Sequence, residues 1–196
     1  MVRSFLIAGA AIIALAGPTL AQSPRSDPTA AGSSQTGSMT GDDVGVPPMT
    51  GVSTSDYVAQ AAAGDLYEIQ AGHIAQGKAR DNALKAFAST MIKDHETMSA
   101  TLMAALDNAQ RKIAHPSDQL PTDKQAMIDQ LKATPKGAQF DSLYLGQQLQ
   151  AHQQAWALQK GYATDGDDAS LRQVAASAVP IVEQHLAMLK ALQPPQ

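Results

Sequence analysis

Two stretches of the chain repeat apolar residues at alternating steps of three and four, the spacing of side chains that share one helix face. One reads Leu84, Ala88, Met91, His95, Met98, Leu102 and Leu106; the other reads Leu171, Val174, Ala178, Ile181, His185, Met188 and Leu192. Two weaker seams accompany them: Tyr57, Ala61, Gly64, Glu68, Ala71 and Ala75, then Tyr144, Gln148, His152, Ala155 and Tyr162. A narrow apolar stripe is buried only against other such stripes, so four of them predict a helical bundle.

The punctuation agrees with this reading. Ser53 or Ser55 can cap the first long helix, which runs to Lys78, and Asp81 the second. Thr134-Pro135 reads as cap and first-turn proline of the third, and the run Asp165-Gly166-Asp167-Asp168 as a turn opening the fourth. Each helix would be roughly 36–45 Å long. Short turns inside the first and second pairs make each an antiparallel hairpin. The connection between the pairs is long: Pro116 and Pro121 bracket a loop, and Thr122 with Gln125 has the spacing of a capping box for a short extra helix. The expected fold is all-α, an antiparallel four-helix bundle with that extra helix in the connection. Aromatic residues make up only 4% of the chain, which also favours helix over sheet.

The bundle occupies residues 53–192. Residues 1–21 read as a secretory signal peptide: Arg3, an apolar core from Phe5 to Ala16, a Gly17-Pro18 break, and small residues leading to cleavage after Ala21. The apolar run is shorter than the roughly 20 residues of a membrane span, so an exported chain with no transmembrane segment in its mature form is expected. Residues 22–52 are dominated by Gly, Ser, Thr and Pro, with few large apolar side chains to offset the entropy of ordering, and read as a disordered linker. With 14 basic against 18 acidic residues the chain lacks the basic excess of a nucleic-acid binder. It has no cysteine, which excludes disulfides, thiolate metal sites and a thiol nucleophile.

The chemistry lies where polar residues interrupt the seams. Glu68, His95, His152 and His185 each occupy a position that otherwise reads Ala, Leu, Met or Ile. A buried polar group without a partner costs a few kcal/mol, so one on every seam calls for a shared explanation. Imidazoles and a carboxylate converging inside a bundle suit one transition-metal ion such as zinc, iron or copper. The other explanation is a hydrogen-bond network in which Glu68 pairs a histidine and Tyr144 and Gln148 complete it. Counting residues from the turns puts Glu68 and His95 at similar heights but His152 and His185 about 10 Å apart, so a single site needs stagger, or a bend at Pro180. Asp65 and Asp141 are further carboxylates at workable heights. Met91, Met98 and Met188, near the histidines on their seams, would suit copper(I), although methionine at helical spacing is ordinarily core filling. His73 and His115 fall off the seams and read as surface residues. The Asp165–Asp168 run lacks the spaced ligands of a calcium loop.

The stretch Gly64-Asp65-Leu66-Tyr67-Glu68-Ile69, then Phe87-Ala88, Met91-Ile92-Lys93-Asp94-His95, Phe140-Asp141 with Tyr144 and His152, and Pro180 before His185-Leu186, resembles an exported bacterial ferritin-like family called domain-of-unknown-function family 4142. The resemblance implies a ferritin-like bundle in the periplasm, labelled a membrane or outer-membrane protein, without a settled activity. The chain departs from true ferritins, whose di-iron sites use Glu-x-x-His pairs. Glu183 and His185 are two apart and Asp94 and His95 adjacent, so neither pair shares a face, and a histidine-rich mononuclear site is the expectation. No Gly-x-Ser-x-Gly elbow or phosphate loop points to a hydrolase, and no catalytic or organic-cofactor residues are assigned. Two functions follow: a metal-binding bundle for storage, sensing or stress protection, or a non-metal structural module whose linker lets it reach a cell-envelope partner.

Overall fold

A computed structural model describes residues 38–107 and 113–193. The signal peptide and residues 22–37 of the expected linker lie outside the described residues. The chain is all-helical there: α1 is Gly41–Val44, α2 Thr54–Lys78, α3 Asn82–Leu106, α4 Thr122–Ala133, α5 Ala138–Asp165 and α6 Ala169–Leu192.

Three of the long helices begin on capping side chains. Ser53, Asp81 and Asp168 accept hydrogen bonds from the backbone N–H groups of Asp56, Ala83 and Leu171. The expected caps of the other two helices are corrected. Thr134 closes α4 rather than opening α5, its N–H and hydroxyl both turned to the Gln130 carbonyl. α5 starts at Ala138 behind Gly137, whose φ of 135° suits glycine. α4 starts behind Pro121, and Gln125 bonds Asp129 instead of forming a capping box.

α2 packs on α3, α5 on α6, α3 on α6 and α2 on α5, so the four long helices close a square. Tyr57 near the start of α2 bonds Gln159 near the end of α5, and Arg80 just after α2 donates its N–H to Asp141 at the start of α5. α5 is therefore antiparallel to α2 and parallel to α3, and the chain must return the length of the bundle between α3 and α5. That single long crossover is the ferritin-like connection. α4 lies within it, against α2 and α5, and Lys78 binds its C-terminal end through the carbonyls of Leu131, Lys132 and Thr134.

Apolar clusters fill both ends of the square. Tyr67, Phe87, Met91, Phe140, Tyr144 and Leu189 pack with Ile128 and Leu131 of α4 at one end; Tyr57, Leu102, Leu158, Tyr162 and Leu171 pack at the other. Between them lies a layer of buried polar side chains.

Part of the expected linker is ordered. Residues 38–52 run along the bundle as a strap: Met49 donates its N–H to the Ala157 carbonyl, and Gln153 donates to the Val44 carbonyl. Glu183 accepts from Ser38, the Met39 N–H and the Trp156 indole. Thr40 and Asp43 form a capping box on α1. Overall composition hides the few anchors, Met39, Val44, Val46, Met49 and Val52, that pack this segment down. Among the described residues, no helix is long and apolar enough to cross a membrane.

Candidate metal centre

His95 from α3, His152 from α5 and His185 from α6 meet in the polar layer. Their ring centroids are 5.7, 5.5 and 5.2 Å apart (95–152, 95–185 and 152–185), and one ring nitrogen of each lies within 4.8 Å of one from each of the others. All three are essentially inaccessible to solvent. The height difference expected between His152 and His185 does not keep them apart. Helix side chains lean toward their own N-terminus, and on antiparallel α5 and α6 that brings the two rings toward each other.

The protons of the triad can be counted. His95 Nδ1 lies 2.9 Å from Asp65 Oδ1, His152 Nδ1 2.9 Å from the Gln148 carbonyl, and His185 Nε2 3.1 Å from Asp94 Oδ2. Each outer oxygen is an acceptor, so each takes the one N–H of a neutral imidazole. The remaining nitrogens of His152 and His185, Nε2 and Nδ1, then carry only lone pairs, and His95 Nε2 does so in the neutral form of its ring, against which its acidic neighbours favour a second proton. The first two face each other at 3.2 Å, and His95 Nε2 has no partner among the described residues.

Burial keeps two of the rings neutral. It drives His152 well below the ordinary histidine pKa, and the neighbouring His95 and His185 push the same way. It takes His185 down to about 4, with His95 adding and Asp94 opposing. Burial acts on His95 as well, but the Asp65 hydrogen bond and the charges of Glu68, Asp65 and Asp94 outweigh it, so its pKa is raised. The convergent pair therefore has no proton of its own to share at neutral pH. An ion bound at about 2.0–2.1 Å per nitrogen in tetrahedral geometry would hold its ligands about 3.3 Å apart, close to the 3.2 Å between His152 Nε2 and His185 Nδ1.

Glu68, the fourth seam residue, is buried beside the triad but is not in the convergent group. Its Oε2 accepts from Gln148 Nε2 at 2.6 Å, and its Oε1 lies 3.7 Å from His152 Nδ1, the outward nitrogen. Burial raises its pKa to about 7, against the pull of His95 and the Gln148 bond. Tyr144 and Gln148 are buried nearby; the Tyr144 hydroxyl has no partner among the described residues.

The outer carboxylates were the harder part to read. Asp65 shares α2 with Glu68 and holds His95, whereas Asp94 looks like a surface neighbour of His95 yet serves His185 on another helix. Asp141 is engaged by the Arg80 N–H at the α2–α3 turn and does not join the site. Met91 and Met188 pack in the apolar cluster, while Met98 lies next to His95 on the wall of a cavity. His73 and His115 are exposed.

Over residues 43–192 the chain matches the family described as Domain of unknown function (DUF4142). The chain belongs to this family. The match begins within the strap, so residues 43–52 of the strap lie in one family domain with the bundle. No curated protein and no solved structure matches the chain.

Proposed function

We propose that the protein is an exported, periplasmic helical bundle that binds one transition-metal ion of the zinc, iron or copper class through His95, His152 and His185, for storage, sensing or stress protection. The observation that carries this reading is the facing of two lone-pair nitrogens, His152 Nε2 and His185 Nδ1, at 3.2 Å, with the third imidazole beside them. A proton between them would make a buried cation, which their burial opposes. A metal ion removes the conflict and uses all three lone pairs, and imidazole sets suit these metals better than magnesium or calcium. The outer contacts from Asp65, the Gln148 carbonyl and Asp94 orient the rings as the outer partners of metal-binding histidines do.

Glu68 acts in this scheme as a buried neighbouring charge, because one of its oxygens is engaged by Gln148 and the other faces the outward side of His152. The test is metal analysis after equilibration with zinc, cobalt or iron and gel filtration. One ion per chain is expected, lost in His95→Ala, His152→Ala and His185→Ala. Glu68→Gln and Asp65→Ala should retain the stoichiometry with affinity lowered about 10–100-fold. Metal content unchanged by the three histidine substitutions would sink the reading and favour the hydrogen-bonded structural module.

A further inference from the structure

The bundle has four walls, and the triad uses three of them. α2 contributes no imidazole to it, and a cavity of about 750 Å³ lies along this helix. At its inner end are His95 and His152 with Asp65 and Glu68. Its sides are largely apolar, formed by Ala61, Gly64, Met98, Ala151, Ala155 and Leu158. The small residues create the space: a Cβ built on Gly64 meets nothing within 4 Å. The volume is that of a site for a small organic molecule.

Resting on the metal reading above, we propose that this cavity binds a small neutral molecule with an apolar body and one nitrogen or oxygen donor that completes the coordination of the metal. Three protein ligands leave a tetrahedral ion one position for an outside donor. His95 and His152 line this cavity and His185 does not, so an outside donor enters between the first two rings from the α2 side, the wall that supplies no imidazole. Its apolar sides favour an apolar body. Beside His95 and His152 the described lining offers Asp65 and Glu68 rather than a cation, and its Lys124 is engaged over the Tyr67 ring, so an anionic donor finds no positive partner there and a neutral one fits better.

The test uses the full mature chain loaded with cobalt(II) at pH 8, whose visible spectrum reports coordination. Titration with 4-phenylimidazole should shift the spectrum saturably, at least tenfold more tightly than azide. Gly64→Leu and, on the opposite wall, Ala155→Leu should load cobalt normally yet lose at least tenfold in affinity for 4-phenylimidazole. Gly64→Leu exchanges a helical glycine for a strong helix former, and unfolding curves identify the variants that retain the fold. An unchanged spectrum, a preference for azide, or undiminished binding in both folded variants would overturn the cavity proposal while leaving the metal site standing. Failure of cobalt to bind at the triad would overturn both.

Discussion

Glu68 and the histidine pair respond to acid in opposite directions. Glu68 has a folded pKa of about 7 against an ordinary 4.5, because burial disfavours its charge. Between those values the folded chain holds a proton that the unfolded chain has released, so Glu68 adds stability as pH falls through the window and costs stability above it. His152 and His185 are depressed, and the unfolded chain takes up their protons first as pH falls below about 6.5; their contribution is lost toward about 4 for His185. Glu68→Gln removes one side of this opposition. Metal-free Glu68→Gln should gain most over the parent at pH 8, the gain shrinking by about 1.4 kcal/mol per pH unit as pH falls from 7 to 4.5. Urea unfolding with a chelator measures it, and parallel pH curves for the two proteins would count against a buried, charge-bearing Glu68. The seam positions of Glu68 and the three histidines were legible because each breaks an apolar repeat. Asp65 and Asp94 were not assigned as holders of the histidines, because acids on helices are ordinarily solvated. Which helix Asp94 faces is a tertiary fact that the spacing of one helix does not contain.

At the scale of elements, the long helices were readable because seam and cap pointed to the same starts, as at Ser53, Asp81 and Asp168. The misreadings fall where local chemistry had two uses. Thr134 can open one helix or close another, and here it bonds back to Gln130. The strap was lost in an average: its Gly, Ser and Pro content outweighs the few side chains that anchor it. Its seat on α5 is specific, since a Cβ at Gly161 would lie 1.9 Å from the Met49 carbonyl oxygen. Gly161→Ala should improve local helix propensity yet destabilise the protein by about 1–3 kcal/mol through that overlap. The Met49–Ala157 hydrogen bond would be lost and the strap lifted. Limited proteolysis checks this, with new cleavage expected between residues 38 and 52 while α2–α6 survive. A strap as resistant as the parent's would mean that the backbone adjusts locally and the close approach is not required.

For the whole molecule, the crossover and the polar layer act together. Parallel α3 and α5 are joined only by a connection that travels the bundle's length, and α4 with Lys78 fastens it to one end. The triad would then tie α3, α5 and α6 at mid-height, where apolar packing gives way to polar side chains. A metal bound only by the folded chain stabilises it by about 4 kcal/mol when free metal is a thousand times the dissociation constant. For a domain of this size each kcal/mol corresponds to about 2–4 °C in Tm. Zinc loading should therefore raise Tm by about 8–16 °C. A chelator should reverse the shift, and His185→Ala should abolish it. Calorimetry distinguishes this from a purely hydrogen-bonded layer, whose Tm would ignore both zinc and chelator. The triad variants also locate the effect: ions on the exposed acidic surface would raise Tm equally in His185→Ala and the parent. A zinc shift confined to the intact triad requires the three helices to unfold as one unit, which is what ligands contributed by both hairpins impose.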